Sequence, residues 1–185
     1  MHASTFFRLC WAGSCLLTLA APAAQAQIDF PDSTVEFRRR NLGGPRLGVT
    51  YVSGNGDLWQ DLDRNGMGRL VSQFGWHFEF RVVPETGGPQ FVVQLVPMIG
   101  GVEYGKLVPT GTLAMGVRFP NGIEFGLGPN ALVRDGVGGV GIDTGLMIGI
   151  GRSFLYRGVS LPVNLVWVTN PSGNRFSVIF GYAIS

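Results

Sequence analysis

The sequence predicts an all-β fold, a closed, eight-stranded, antiparallel up-and-down β-barrel whose strands cross a membrane. Three observations carry that expectation. Apolar and polar residues alternate with period two over eight separate stretches. Charged residues make up only 14% of the chain while glycine is 29 of 185, against roughly 25% charged residues in soluble proteins. In every stretch, one of the two alternating faces holds no charged residue at all.

The elements follow in order. Residues 1–26 read as a secretory signal peptide, with His2 and Arg8 near the start, an apolar Leu16 to Ala21, and Ala24-Gln25-Ala26 as a small-residue cleavage site, so the mature chain is expected to start near Gln27. Cys10 and Cys15 leave with that segment. A lipoprotein reading would modify Cys15, but the apolar run continues past it and Ala12-Gly13-Ser14 lacks the usual aliphatic residue. Residues 27–44 form a polar lead. Eight strands are then expected at 45–53, 70–83, 89–99, 109–120, 122–134, 138–151, 158–169 and 174–185. Turn formers separate them, including Glu85-Thr86-Gly87-Gly88, Pro120-Asn121-Gly122 and Asn170-Pro171-Ser172-Gly173. After the leader no run approaches the ~18 apolar residues of a transmembrane helix.

Sorting each strand by side gives the expected orientation. One face collects residues such as Leu47, Val49, Tyr51, Phe74, Trp76, Phe78, Phe80, Phe91, Leu95, Phe125, Ile148, Leu165, Trp167, Phe176, Phe180 and Tyr182. The other holds Arg46, Gln73, His77, Glu79, Arg81, Gln94, Arg118, Glu124, Asn130, Asp143 and Asn164, diluted by glycines. A soluble lipocalin-like barrel alternates too, but it needs a polar exterior. The second face is a poor exterior: beyond the leader the chain has one lysine, Lys106. In hydrocarbon every backbone group must be paired, and a closed barrel achieves this with strands. Phe74, Trp76, Phe78, Phe80, Trp167, Phe180 and Tyr182 are therefore expected to face lipid.

With an export signal, eight two-faced strands and the closing strand Arg175-Phe176-Ser177-Val178-Ile179-Phe180-Gly181-Tyr182-Ala183-Ile184-Ser185, the chain resembles the small eight-stranded outer-membrane β-barrels of Gram-negative bacteria. The architecture is similar to the OmpA and OmpX type over about residues 45–185. That resemblance implies residence in the outer membrane, insertion by its assembly machinery, both barrel termini in the periplasm, and longer loops outside. The external loops would be 54–69, 100–108, 135–137 and 170–173, and the periplasmic turns 84–88, 120–122 and 152–157. The chain departs from that family at Tyr182-Ala183-Ile184-Ser185, where an aromatic residue usually stands last.

Four constellations bear on chemistry. His77, the one histidine beyond the leader, shares the inner face with Glu79 and Arg81, which invites a hydrolase reading. No nucleophile completes it, since Ser72 faces the other side. The competing reading is a lumen charge network of His77, Glu79, Arg81, Arg118, Glu124 and Asp143. Asp61-Leu62-Asp63-Arg64-Asn65-Gly66 matches the first half of an EF-hand loop, making Asp61, Asp63 and Asn65 a weak calcium candidate. Gly136-Val137-Gly138-Gly139-Val140-Gly141 lies in a strand with no helix after it, unlike a phosphate-binding loop. A net charge of +2 with a single basic run, Arg38-Arg39-Arg40, points away from a nucleic-acid partner.

The expectation is thus a monomeric outer-membrane barrel with a structural or surface-interaction role, no catalysis and no cofactor. The alternative is binding or passage of a small apolar or amphipathic molecule through the lumen. A lipid-modifying hydrolase and a soluble binding barrel rank below both.

Overall fold

In the computed structural model, which describes residues 42–82, 88–136 and 139–184, eight antiparallel strands close into a barrel. They are β1 (Gly44–Ser53), β2 (Leu70–Val82), β3 (Gln90–Gly100), β4 (Val108–Arg118), β5 (Ile123–Gly136), β6 (Gly139–Tyr156), β7 (Val159–Thr169) and β8 (Asn174–Gly181). After a break at Tyr182, β9 (Ala183–Ile184) continues the line of β8 and pairs with β7. Each strand pairs with its sequence neighbours, and β1 closes the ring on β8 through Leu47↔Phe180 and Thr50↔Ser177. Closure leaves no free sheet edge around the wall. The expected signal peptide at 1–26, the lead as far as residue 41, Arg38-Arg39-Arg40, and parts of the turns at 84–88 and 135–137 lie outside the described residues.

The pleat does what the alternation implies. Phe74, Trp76, Phe78 and Phe80 point outward, Phe80 with 66% of its surface exposed, while His77 between them is 4% exposed. Trp167 and Phe176, directly opposite on β7 and β8, stack outside the wall with centroids 6.1 Å apart. Such cross-strand aromatic pairs contribute about 0.2–1 kcal/mol each. Inside, glycine sets how closely strands approach: a Cβ at Gly116 would run into the Phe125 carbonyl, and one at Gly128 into the Leu113 carbonyl.

Three expectations need correction. The turn expected at 152–157 is strand through Tyr156, and the chain reverses in two residues, Arg157 (φ 49°) and Gly158 (φ 84°). Positive φ at both matches the right-handed twist of a hairpin, so a two-residue turn suffices. Residues 54–69 are not all loop, because Asp57–Arg64 form a helix, α1. Leu58, Asp61 and Leu62, spaced i, i+3, i+4, make its buried side. Asn65 caps it and Gly66 (φ 69°) ends it. Finally, the last residues of the supposed polar lead belong to the barrel: Leu42 is buried and its carbonyl lies inside.

Helix α1 crosses one mouth of the barrel. It touches β1 and β5, which stand opposite each other in an eight-strand ring. Leu58 and Leu62 pack with Val52, Met67, Val71 and Leu132 into a small apolar core. The Leu58 N–H donates to the Ser172 carbonyl at 3.0 Å, and Arg69 braces the loop through the Gly54 carbonyl (2.6 Å) and over the Trp59 ring (4.0 Å). Beside it, a single 3-10 turn, Val102–Tyr104, tucks Glu103 against Ser72. The other end of the barrel carries the short turns and is called the turn end below.

Candidate functional site

The barrel interior is the candidate site, and it is layered. At the turn end, Arg118 on β4 is 1% exposed and clamps two carboxylates. Its Nη1 and Nη2 donate to Glu79 Oε1 and Oε2 at 2.8 and 2.6 Å, and its Nε and Nη2 donate to Glu124 Oε2 at 3.0 and 2.7 Å. Asn164 Nδ2 donates to Glu124 Oε1 at 2.7 Å, and Arg81 Nε stands 3.5 Å from Glu79. A bidentate fork on one acid and a shared nitrogen on the other is the geometry that lets buried charges offset their lost hydration.

His77 sits next to this clamp without joining it. Arg46 Nη2 lies 2.6 Å from His77 Nδ1 and also donates to the Leu42 carbonyl. The same Nδ1 lies 3.0 Å from the Leu42 carbonyl, so this nitrogen faces both a donor, the guanidinium, and an acceptor, the carbonyl. Among the described residues no hydrogen bond joins His77 to Glu79, the pairing an imidazole base would use. Four of the six residues expected in one network, Glu79, Arg81, Arg118 and Glu124, form a single cluster; His77 belongs to an adjoining pair with Arg46.

Asp143 is elsewhere, which corrects the single-network expectation. It lies near the helix mouth, accepting from Ser172 Oγ at 3.1 Å and facing Arg134 Nε at 3.6 Å. Asp143 is on β6 whereas Glu79, Arg118 and Glu124 are on β2, β4 and β5, and each strand runs from one mouth to the other, so sharing the inner face does not mean sharing a contact. The calcium candidate is also overturned. In a helix, residues two apart diverge by about 200°, so Asp61 points in and Asp63 out. Asp61 is ion-paired to Arg64 and Arg134, and the Asn65 amide donates to the Asp61 carbonyl at 2.8 Å. No group of three metal-ligating side chains converges among the described residues.

Between the two charged layers lies a cavity of about 90 Å³. Arg46, His77 and Arg175 line it together with the apolar Ala114, Met147 and Val168, Val168 standing directly across from Arg175 on the neighbouring strand. Arg175 Nη2 donates to Asn130 Oδ1 at 2.7 Å, and Asn130 Nδ2 to Thr112 Oγ1 at 2.7 Å. The apolar inward residues were missed from sequence because sorting followed charge; Met98, Met147, Val166 and Val168 occupy the same parity as the inner glycines. Arg175 was missed because it sits next to the strand's first residue, although it shares parity with Ser177.

Outside the barrel, at the helix mouth, the Ser72 N–H donates to Glu103 Oε1 at 2.6 Å and Ser72 Oγ donates to Oε2. Burial alone would raise the Glu103 carboxyl, but these bonds outweigh it and hold the group below the usual carboxylate range.

Fold and interior together define a closed eight-stranded antiparallel β-barrel with an apolar exterior and an ion-paired interior. No known family model matches the chain, and no characterised protein matches it in sequence.

Proposed function

We propose that the chain is an integral outer-membrane β-barrel with a structural or surface-interaction role. One observation carries this reading: the barrel is inverted relative to a soluble one. Large apolar side chains on all eight strands are exposed while Arg118, Glu124, His77 and Arg175 are buried. In water that exterior would be far larger than the few-hundred-Å² patches that soluble monomers tolerate; in a bilayer it is the lipid contact surface. The resemblance to small outer-membrane barrels and the export signal support the same membrane. Catalysis has no support in the interior, where His77 is engaged by Arg46 and not by an acid. A conducting pore is disfavoured by the Arg118 clamp at one end and α1 at the other.

The test is fractionation with heat-modifiable gel migration. The protein is expected in the outer-membrane fraction, with different mobility before and after boiling in detergent. Recovery as a soluble periplasmic protein would overturn the proposal. The second reading, binding of a small molecule in the lumen, is favoured by the cavity and the groups around it.

A further inference from the structure

We infer that the central cavity is a binding site for one small carboxylate anion with a short apolar tail. The charge inventory of the interior is the first support. Across its three layers, five arginines, Arg46, Arg81, Arg118, Arg134 and Arg175, face four carboxylates, Glu79, Glu124, Asp61 and Asp143. The acids are all engaged: Glu79 and Glu124 by Arg118, and Asp61 and Asp143 by Arg134. Among the described residues, Arg46 and Arg175 are the two of these arginines without a carboxylate in ion-pair contact; both line the cavity, but they stand six residues apart along the wall, Arg46 opposite Gly181 and Arg175 opposite Val52, so the anion site is placed at Arg175. Among the described interior residues the surplus is one positive charge, which one monoanion neutralises.

Unused donors around the cavity are the second support. Arg46 bonds only the carbonyls of Leu42 and Pro45 and the ring of His77. Arg175 is 4% exposed, and among the described residues its Nε has no hydrogen-bond partner. Buried donors of this kind are ordinarily satisfied, and a buried guanidinium without a counter-charge is costly. A carboxylate presents two oxygens to such forks, which a halide does not. Glu124 also lines the cavity, but Arg118 and Asn164 already occupy it.

The apolar part of the lining sets the rest of the ligand. Ala114, Met147 and Val168 are apolar and buried, suited to a short aliphatic chain. The cavity volume of about 90 Å³ admits a carboxylate with a short tail. This inference does not depend on the membrane reading, because the cavity is the same in any solvent.

The experiment uses the full chain, folded in detergent micelles and labelled with [methyl-13C]methionine, titrated with sodium butyrate. Met98 and Met147 line the cavity, and Met115 faces outward. The expected result is saturable shifts of the Met98 and Met147 methyls with Met115 unmoved. Butyramide should give no shifts. Arg175→Gln is expected to weaken butyrate about 10- to 100-fold, the loss of one charge-assisted contact, and Arg175→Lys to weaken it less. If Arg175→Gln does not fold, Arg175→Lys and the butyramide comparison serve in its place. No saturable shift, equal shifts with butyramide, equal shifts with sodium chloride, or unchanged affinity in the folded arginine variants would each overturn the carboxylate site. Gel mobility and fractionation report on the membrane reading separately.

Discussion

Arg118→Met is the sharpest test of what holds the interior together. The substitution keeps most of the side-chain volume and removes four charge-assisted hydrogen bonds, two to Glu79 and two to Glu124. Glu79 would keep Arg81 at 3.5 Å, and Glu124 would keep Asn164 at 2.7 Å. At about 1.5–3 kcal/mol per bond to a charged group the four would sum to an implausible total, because bonds sharing one guanidinium are not additive. The relevant figure is the cost of orphaning a buried charge, about 3–5 kcal/mol. With an m value of ~2 kcal/mol/M, that lowers the urea midpoint by roughly 2 M. The assay is urea unfolding in vesicles, read by the heat-modifiable gel shift. Adding Glu79→Gln and Glu124→Gln to Arg118→Met should recover at least half of the loss, since no carboxylate is then stranded. An Arg118→Met midpoint within about 0.5 M urea of the parent, or no recovery in the triple variant, would refute the argument that this clamp compensates buried acids.

Three further outcomes are expected. Spin labels placed one at a time from Phe74 to Arg81 should alternate, with lipid-soluble quenchers reaching positions 74, 76, 78 and 80 and not 77, 79 and 81; a flat profile would contradict the sidedness of β2. The Ser72 amide resonance should titrate with Glu103 at a midpoint below 4.5, its ordinary value. Because the folded value is depressed, the Ser72–Glu103 contribution is fully present above pH 4.5 and is lost as pH falls through the folded midpoint; Ser72→Ala should raise that midpoint. Arg134→Ala should leave Asp61 with Arg64 alone and Asp143 with Ser172 alone and speed hydrogen exchange in 57–64, while β7 and β8 keep their protection; unchanged exchange in the helix would mean that its other contacts hold it.

Much of the barrel was legible because a period of two leaves little freedom. Once Phe74, Trp76, Phe78 and Phe80 take one side, Gln73, His77, Glu79 and Arg81 must take the other. Strand ends were less legible, as β6 shows. Ser153 to Tyr156 alternate weakly, and Arg157-Gly158 is a turn only through positive φ, which composition does not display. Helix α1 was hidden by its brevity: eight residues rich in Asp resemble a loop, and the helix depends on Leu58 and Leu62 meeting Val52 and Leu132 from distant strands. For the interior, parity named the inward residues but not their height along the barrel. That separates Asp143 from Glu124 and left Arg175 beside a cavity that no local pattern outlines.

Helix α1 also has a mechanical meaning. A thin-walled tube resists squeezing poorly, because its round section flattens into an oval with little stretching of the wall. A strut that joins β1 to β5 through Val52, Leu58, Asp61 and Arg134 fixes one diameter at the mouth. The barrel is left with its compliance along the perpendicular diameter, between β3 and β7, and lateral pressure from the surrounding medium would be taken up there.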